Sequence, residues 1–455
     1  MTDSGMVGMG IGAKDVRLER RGERVLEGIV QSGSLIVRKI GGARAGEIAT
    51  HRFLDNASVT HEAIIATAAE RTIKAAAGRR VLAVQDTTEI NFSGADRSRR
   101  GLGPAGDGKA LGFFIHPLLV VDVEEEAVLG VVHARIWTRD AIPTPDQRTR
   151  AIEDKESACW IEATAAAGRL LGDAREVMAV ADREGDIYAH FARAPAGVGL
   201  IVRAKADRKL VGGGSLFEAA RSFGKGVERQ VRVAPRGPGD KGRTANVLVR
   251  AGAVEIARPA SADARRDRKS LTLGLVEAIE IDPPKGSNPL LWRLLTTLPV
   301  DNPADAQEVV RLYRLRWRIE QLFRTMKSDG LKLEDSQLES AERLFKLAAL
   351  ALEAGTRIIQ LTDARDGSAR PATDVLEETL IEPVAAIGAT LEGKTERQKN
   401  HHPKASLAWL AWVVARLGGW NCYYKPPGPK TMAAGWQRLA AMLDGFTIAV
   451  RCQHV

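Results

Sequence analysis

The chain has 455 residues, of which 44% are hydrophobic and 27% charged, and it carries a formal net charge of +9 at pH 7. This composition predicts a soluble globular protein with two or three domains and a large core, and the positive balance favours a polyanionic partner. The three cysteines are far apart and form no CxxC pair, which gives no support to a disulfide scaffold or a zinc site. No apolar run approaches the roughly 18 residues of a membrane span and no secretory leader is evident, so we expect a cytoplasmic protein without a membrane partner.

The first part of the chain predicts helices followed by short buried strands. Residues 1–80 are expected to be mostly helical, because ERVLEGIV and HEAIIATAAERTIKAAAG space their apolar residues as a helix does. Two short apolar runs are typical of buried strands: VLAVQD ends at Asp86 and VMAVAD ends at Asp182. Between them, FFIHPLLVVDV and AVLGVVHARIW predict an antiparallel hairpin, and residues 153–171 predict a helix.

Residues 196–300 change in character, because short β-like runs alternate there with turns rich in Gly and Pro. Within this part, residues 201–270 hold 17 Lys and Arg against 7 Asp and Glu, a net charge of +10 that exceeds the +9 of the whole chain. A groove for the phosphate backbone of DNA is one interpretation, and a basic surface kept for solubility is the other. From about residue 340 onward the chain is rich in Ala and Leu and is predicted to be helical.

The segment LYRLRWRIEQLFRTMK has the spacing Y-x2-R-x3-E-x6-K, formed by Tyr313, Arg316, Glu320 and Lys327. On one continuous helix these four residues would fall within an arc of about 60°, because each residue turns about 100°. One carboxylate flanked by two cations and a phenol suits a metal ion bound beside phosphate oxygens. An ordinary amphipathic helix with a solvated charged face is the alternative.

Three carboxylates could form a metal site together, at Asp86, Asp182 and Glu320, which are separated by 96 and 138 residues. Aspartates at the ends of two neighbouring strands can lie side by side, and a glutamate can reach them from a helix packed on the sheet. Such hard oxygen ligands select Mg²⁺ or Mn²⁺. Two of these ions would activate water or a 3′-hydroxyl in phosphodiester chemistry. Considered singly, each aspartate is more simply explained as a strand-end residue that initiates a turn.

The chain resembles the DDE transposases of the insertion-sequence-four family, most closely those of the Tn-five type. The resemblance runs from about residue 20 to residue 447, and the opening MTDSGMVGMGIG does not match. The matching segments are VLAVQDTTEINFSG, EDKESACW, VMAVADREGDIYAH, EIDPPKGSNPLLWRLLTTLPV, LYRLRWRIEQLFRTMK, ARLGGW and AAGWQRLAAMLDGF.

The fold that this resemblance implies is α/β: a ribonuclease-H-like catalytic core with a β-sheet insertion, flanked by N-terminal and C-terminal helical domains. Residues 1–75 would form the domain that binds the DNA end. Residues 76–365 would form the catalytic domain, with a basic β-rich insertion at about 190–300. Residues 366–455 would form a dimerisation domain.

The resemblance also implies roles for individual residues. The metal-binding triad, with two Mg²⁺ or Mn²⁺ ions per active site, would comprise Asp86, Asp182 and Glu320. The residues that grip phosphates at the transposon end would be Tyr313, Arg316 and Lys327.

Three further residues match positions that the family uses to handle DNA. Trp292 matches a tryptophan that holds a flipped base, where an indole face replaces the lost stacking, although a tryptophan of the strand core is the alternative. Arg203 and Lys205 match basic residues near the active site. They are expected to contact DNA unless they belong to a generic basic strand.

The activity that the resemblance implies is cut-and-paste transposition. Such enzymes hydrolyse the transposon ends, form and reopen a DNA hairpin, and join the 3′ end to target DNA. The expected partners are double-stranded DNA, as transposon ends and as target, and a second copy of the chain in a homodimer. Two rival functions stay open: a non-catalytic end-binding or inhibitory element product, and a nuclease that cuts without joining strands.

Overall fold

A computed structural model of the chain describes residues 11–92, 99–106, 108, 110–140, 150–224, 226–233, 242–286, 288–328 and 330–452. Residues 1–10 of the unmatched opening lie outside the described residues, as do residues 225 and 234–241 of the basic segment. The chain divides into two compact units. Unit 1 comprises Met1–Ala77, Thr87–Pro143 and Arg318–Val455. Unit 2 comprises Gly78–Asp86 and Thr144–Trp317.

The described chain begins and ends with runs of helices, and most of its strands lie between them. The α-helices are α1 (Val16–Ser32), α2 (Val37–Gly41), α3 (Arg44–Asp55), α4 (His61–Ala76), α5 (Ala158–Leu170), α6 (Tyr188–Ala192), α7 (Leu216–Ser222), α8 (Pro303–Leu315), α9 (Trp317–Lys327), α10 (Ala341–Ala364), α11 (Ile381–Leu391), α12 (Leu407–Leu417) and α13 (Pro429–Cys452). The β-strands are β1 (Arg80–Gln85), β2 (Thr88–Phe92), β3 (Gly103–Ala105), β4 (Ala110–Asp122), β5 (Ala127–Trp137), β6 (Glu176–Ala181), β7 (Val198–Arg203), β8 (Val227–Val233), β9 (Arg243–Ala257), β10 (Ser270–Glu280) and β11 (Leu291–Thr296).

Unit 1 is organised around α10, a helix of 24 residues that is buried along most of its length. This helix packs on β5 and is contacted by α4, α12 and α13. β4 and β5 form the antiparallel hairpin that the sequence predicts, and β2 and β3 also pair antiparallel with β4. The predicted helices near both ends of the chain are confirmed. α1, for example, begins after Asp15, whose carboxylate accepts hydrogen bonds from the backbone N–H groups of Arg17 and Leu18.

Unit 2 contains strands in the order β1-β6-β7-β11-β10-β9-β8. β1, β6 and β7 are parallel neighbours, whereas each later pair in this order is antiparallel. The parallel strands are short apolar runs with α5 packed against them, as expected for strands connected by helices. The predicted strands before Asp86 and Asp182 are confirmed, and so is the β-rich character of residues 196–300.

The helix predicted for residues 153–171 begins later than expected. α5 starts at Ala158 and is preceded by a short 3₁₀ turn at Ile152–Asp154. In the described residues, none of the helices combines the length and the apolar composition that crossing a membrane requires.

The prediction of one uninterrupted helix through the Y-R-E-K residues is wrong. α8 ends at Leu315 and α9 begins at Trp317, so Arg316 forms the joint between them. Its backbone N–H donates to the carbonyl of Tyr313, three residues earlier, at 3.2 Å, which tightens the turn at this point. Tyr313 and Arg316 belong to unit 2, which ends at Trp317, whereas Glu320 and Lys327 belong to unit 1.

Candidate active site

Asp86 and Asp182, which we call the strand-end pair, directly follow two neighbouring strands of unit 2. β1 and β6 pair in parallel from Arg80 opposite Glu176 to Val84 opposite Val180, with a constant offset of 96 residues. Because the strand-end pair has the same offset, the two aspartates are level with one another at the carboxyl ends of these strands. Adjacent strands lie about 4.8 Å apart, and opposite residues project from the same face. Continued by two residues, this register predicts that the two carboxylates lie side by side at this end of the sheet.

The opposite end of the same two strands shows what this register does to side chains. Arg80 and Glu176, which are directly opposite, form an ion pair of 2.6 Å between Nε and Oε2. The strand-end pair lies six residues farther along, and an even number of residues returns the side chains to the same face.

Each carboxylate of the strand-end pair is held by hydrogen bonds within unit 2. Arg316 Nη1 donates to Asp86 Oδ2 at 2.7 Å, and these side chains are only 13% and 18% exposed. Asp182 Oδ1 accepts from the backbone N–H of Glu184 at 2.8 Å and so caps the 3₁₀ turn Arg183–Gly185. Two neighbouring carboxylates repel one another, and the guanidinium group offsets part of that repulsion.

An aromatic pair lies beside this guanidinium group. The rings of Tyr313 and Trp292 meet edge to face, with centroids 5.4 Å apart and planes at 67°. Arg316 Cζ lies 5.9 Å from the centroid of the Tyr313 ring. Burial raises the pKa of Tyr313 above its ordinary value. The phenol is therefore protonated at neutral pH and can donate a hydrogen bond to an anion.

Arg203, the last residue of β7, adds a second half-buried cation to this region. Its Nη2 donates to the carbonyl of Leu291 at 2.9 Å. Burial lowers the pKa of Arg203, and the charges of Arg183 and Arg316 act in the same direction, whereas Tyr313 opposes them. Cations that are close together and partly buried are stabilised by an anion, which is the property expected of a phosphate-binding site.

Unit 2 therefore collects most of the residues that the sequence singles out. The residues brought together are Asp86, Asp182, Arg203, Trp292, Tyr313 and Arg316. Lys205 lies just beyond them in an exposed loop after β7.

The two remaining residues lie in unit 1. Glu320 is in the first turn of α9 and is half-buried. Lys327 is in the last turn, where its Nζ donates to the carbonyl of Glu89 at 2.6 Å and lies 3.3 Å from Glu334 Oε1. Among the described residues, no group of three or more His, Cys, Asp or Glu side chains is arranged to hold a metal ion. The triad with Glu320 stays a prediction.

The strand-end pair nevertheless has the donor chemistry that a divalent cation needs. Carboxylate oxygens are the ligands that Mg²⁺ and Mn²⁺ prefer, and two of them are level on adjacent strands. Asp86 Oδ2 already stabilises a positive charge, that of Arg316, at 2.7 Å. The two residues therefore fit a divalent metal ion.

The region that carries Asp182 and Glu320 has a known counterpart. Residues 180–354 match the family model of the transposase DDE domain. This match to the DDE domain supports a DDE transposase, an enzyme of the nuclease type that acts on DNA. It begins within β6 and ends within α10, so it includes Asp182 and Glu320, whereas Asp86 precedes it.

Asp186, inside the DDE-domain match, is a residue that the sequence does not single out. Its side chain is fully buried, and Oδ2 accepts from the backbone N–H groups of Lys205 at 2.7 Å and Ala206 at 3.0 Å. Oδ1 accepts from Arg208 Nη2 at 2.6 Å. Asp186 thus fixes the loop that presents Lys205. Its only signal in the sequence is its place four residues after Asp182 in DREGD, which does not distinguish a buried carboxylate from an exposed one.

We expect Asp186→Asn to lower the free energy of unfolding by about 3–5 kcal/mol. The amide cannot match this set of donors and leaves the guanidinium group of Arg208 without its buried counter-charge. Urea denaturation measures the loss. The matched control is Asp207→Asn, because the Asp207 carboxylate makes an exposed bond to the N–H of Phe217, and its loss should cost no more than about 1.5 kcal/mol. Equal losses in the two variants would contradict the role given to Asp186.

Proposed function

We propose that the chain is a cut-and-paste DNA transposase of the insertion-sequence-four family, Tn-five type. In this proposal Asp86, Asp182 and Glu320 form a triad that binds two Mg²⁺ or Mn²⁺ ions. The observation that carries the proposal is the level placement of the strand-end pair on neighbouring parallel strands. The DDE-domain match over residues 180–354 supports the same assignment.

The chemistry divides between the ions and the side chains of the chain. Bound divalent ions supply an activated water or 3′-hydroxyl and stabilise the leaving oxygen. Arg316, with its planar group of donors, bonds the phosphate at the transposon end. The phenol of Tyr313 donates a hydrogen bond to the same phosphate, and Lys327 adds a second positive charge. Arg203 and Lys205 contact the DNA backbone nearby.

The exposure of Trp292 supports a role in base stacking during hairpin formation. Its ring is half-buried and is held edge to face against Tyr313, so part of the indole surface is accessible. A base extruded from a duplex loses its stacking, and an aromatic face compensates for that loss. In the proposal, Trp292 holds the flipped base while the hairpin forms.

The architecture proposed for the whole chain follows the same family. Three parallel strands extended by antiparallel strands support a ribonuclease-H-like core with a β-sheet insertion. We assign DNA-end binding to residues 1–75, catalysis to residues 76–365 and dimerisation to residues 366–455. The DNA substrates are the transposon ends and the target, and the active species is a homodimer.

The test is cleavage of a plasmid that carries the DNA flanking the coding sequence, with Mg²⁺ or Mn²⁺ present. Wild type should release the flanked segment and join it to target DNA. Glu320→Gln should bind the ends but cleave about 10³-fold more slowly, since several kcal/mol of transition-state stabilisation depend on the metal. The matched control is Glu339→Gln, an exposed glutamate also in unit 1, which should cleave as wild type does.

Three other outcomes would contradict part of this proposal. Binding without cleavage by wild type would favour a non-catalytic end-binding or inhibitory product. Release of the segment without joining would favour a nuclease. Full activity of Glu320→Gln would remove Glu320 from the triad.

A further inference from the structure

A chain of buried hydrogen bonds lies inside unit 2, between α5 and the ends of β1 and β6. Gln85 Nε2 donates to Thr164 Oγ1 at 2.9 Å. Thr164 Oγ1 lies 2.7 Å from His190 Nε2, and His190 Nδ1 lies 2.9 Å from the carbonyl oxygen of Gly185. The three side chains are at most 1% exposed. These atoms are buried and together form one continuous chain.

The donor and the acceptor of each hydrogen bond in this buried series follow from the chemistry of its groups. The carbonyl of Gly185 can only accept, so Nδ1 of His190 carries the proton. Burial lowers the pKa of His190 to about 4, so the imidazole is neutral near pH 7 and its Nε2 accepts. The hydroxyl of Thr164 then donates to Nε2 and accepts from the amide of Gln85. Polar groups satisfied in this way inside a core rigidify the elements that carry them.

Both ends of this series of hydrogen bonds adjoin the strand-end pair. Gln85 immediately precedes Asp86, and because neighbouring strand residues point to opposite faces, Gln85 faces α5 while Asp86 faces away from it. Gly185 closes the turn that Asp182 caps, with its N–H 3.2 Å from the Asp182 carbonyl. Thr164 of α5 therefore connects the end of β1 to the turn after β6.

Close packing holds the second of these connections in place. A Cβ atom at Gly185 would lie 2.6 Å from the Cβ of Ala181 and 3.0 Å from the ring of Trp160. The backbone of Gly185 consequently has little room to shift, and its carbonyl oxygen is a fixed acceptor for His190.

We propose that Thr164 and His190 are positioning residues that hold the two strand ends at the separation at which both aspartates bind one divalent cation. This inference rests on the proposed function. Neither side chain touches the cation or DNA; they act through the backbone at Gln85 and Gly185. Residues that orient metal ligands through hydrogen bonds change metal affinity by about 10- to 100-fold when they are removed.

The experiment measures Mn²⁺ binding to the full-length chain without DNA, by electron paramagnetic resonance, beside thermal unfolding and DNA binding. Thr164→Val keeps the shape and removes the hydroxyl, and it should weaken Mn²⁺ binding about 10- to 100-fold. Thr164→Ser restores the hydroxyl and should bind Mn²⁺ within about threefold of wild type, as rescue by a conservative change requires. The matched control is Thr356→Val, a buried threonine whose hydroxyl donates to the Leu352 carbonyl of its own helix.

If Thr164→Val does not fold, Gln85→Met replaces it in the comparison, because this change removes the connection to β1 and leaves the bonds between Thr164, His190 and Gly185. It should also weaken Mn²⁺ binding. Unchanged Mn²⁺ affinity in a folded Thr164→Val or Gln85→Met variant would overturn the inference. Equal losses in Thr164→Val and Thr356→Val would also overturn it, because the effect would then be general destabilisation.

The Mn²⁺ affinity of Asp182→Asn distinguishes a failure of the metal site from a failure of the positioning role. If Asp182→Asn binds Mn²⁺ as tightly as wild type, the proposed metal site itself fails. If binding depends on Asp182 but not on Thr164, the metal site stands and only the positioning role is lost.

Discussion

Replacing either member of the strand-end pair by Asn should lower the rate of DNA cleavage by about 10³-fold or more and leave DNA binding within a few-fold of wild type. Asn preserves the size of the side chain but removes the charge that a divalent cation needs. Several kcal/mol of transition-state stabilisation are then lost, at a factor of ten for each 1.36 kcal/mol. Single-turnover cleavage of DNA carrying the flanking ends measures the rate, and a gel-shift titration measures binding.

Asp173→Asn is the matched control, because Asp173 precedes the opposite end of β6 and its side chain is exposed. It should cleave at the wild-type rate. Asp182→Cys provides a second check, because a thiolate is a softer ligand and should restore more activity with Mn²⁺ than with Mg²⁺. Near-normal cleavage by Asp182→Asn would remove this aspartate from the site.

Arg316→Ala should have the second large effect, a fall of about 10²- to 10³-fold in cleavage together with weaker DNA binding. The change removes the proposed phosphate contact and leaves the Asp86 carboxylate without the guanidinium group that lies 2.7 Å from it. In a salt titration, the slope of log affinity against log salt should decrease by about 1, as expected for one lost phosphate contact. Arg316→Lys should recover the salt slope but only part of the rate, because lysine lacks the planar group of donors.

The control for general loss of positive charge is Arg314→Ala, two residues earlier on α8. Its effect on cleavage should stay within about threefold, since Arg314 is only half-buried and a single charge of this kind contributes little. Comparable losses in the Arg314 and Arg316 variants would show that overall charge, and not the position of Arg316, is responsible.

The sequence predicts the strand framework of unit 2 well because strands leave local signals. The apolar runs before Asp86 and Asp182 are short, continuous and terminated by a polar residue, which is typical of buried parallel strands. The fold confirms that these strands are neighbours and shows that their ends are level. The roles in metal and DNA binding stay predictions, and the DDE-domain match supports their class.

The break at Arg316 could not be predicted, because nothing in LYRLRWRIEQLF interrupts helical spacing. The interruption coincides with a tertiary contact that the local sequence does not reveal: Arg316 forms an ion pair with Asp86, which is 230 residues away in the sequence. His190 and Asp186 were missed for a related reason. A histidine or an aspartate has the same appearance in a sequence whether it is exposed or buried, and only the packing of α5 and of the loop with Lys205 reveals its partners.

The register between β1 and β6 also has a consequence for how the chain folds during its synthesis. The partner of each residue in β1 is made 96 residues later, which takes roughly 5–20 seconds at ordinary rates of translation. Residues 87–143 of that interval belong to unit 1, whose last segment begins only at Arg318. Synthesis of unit 2 begins before unit 1 is complete, and unit 1 is completed only after unit 2. The two units therefore cannot fold one after the other in order from the N-terminus. A ribosome that stopped between β1 and β6 would leave the apolar strand β1 without its parallel neighbour, and an unpaired strand of this kind favours aggregation.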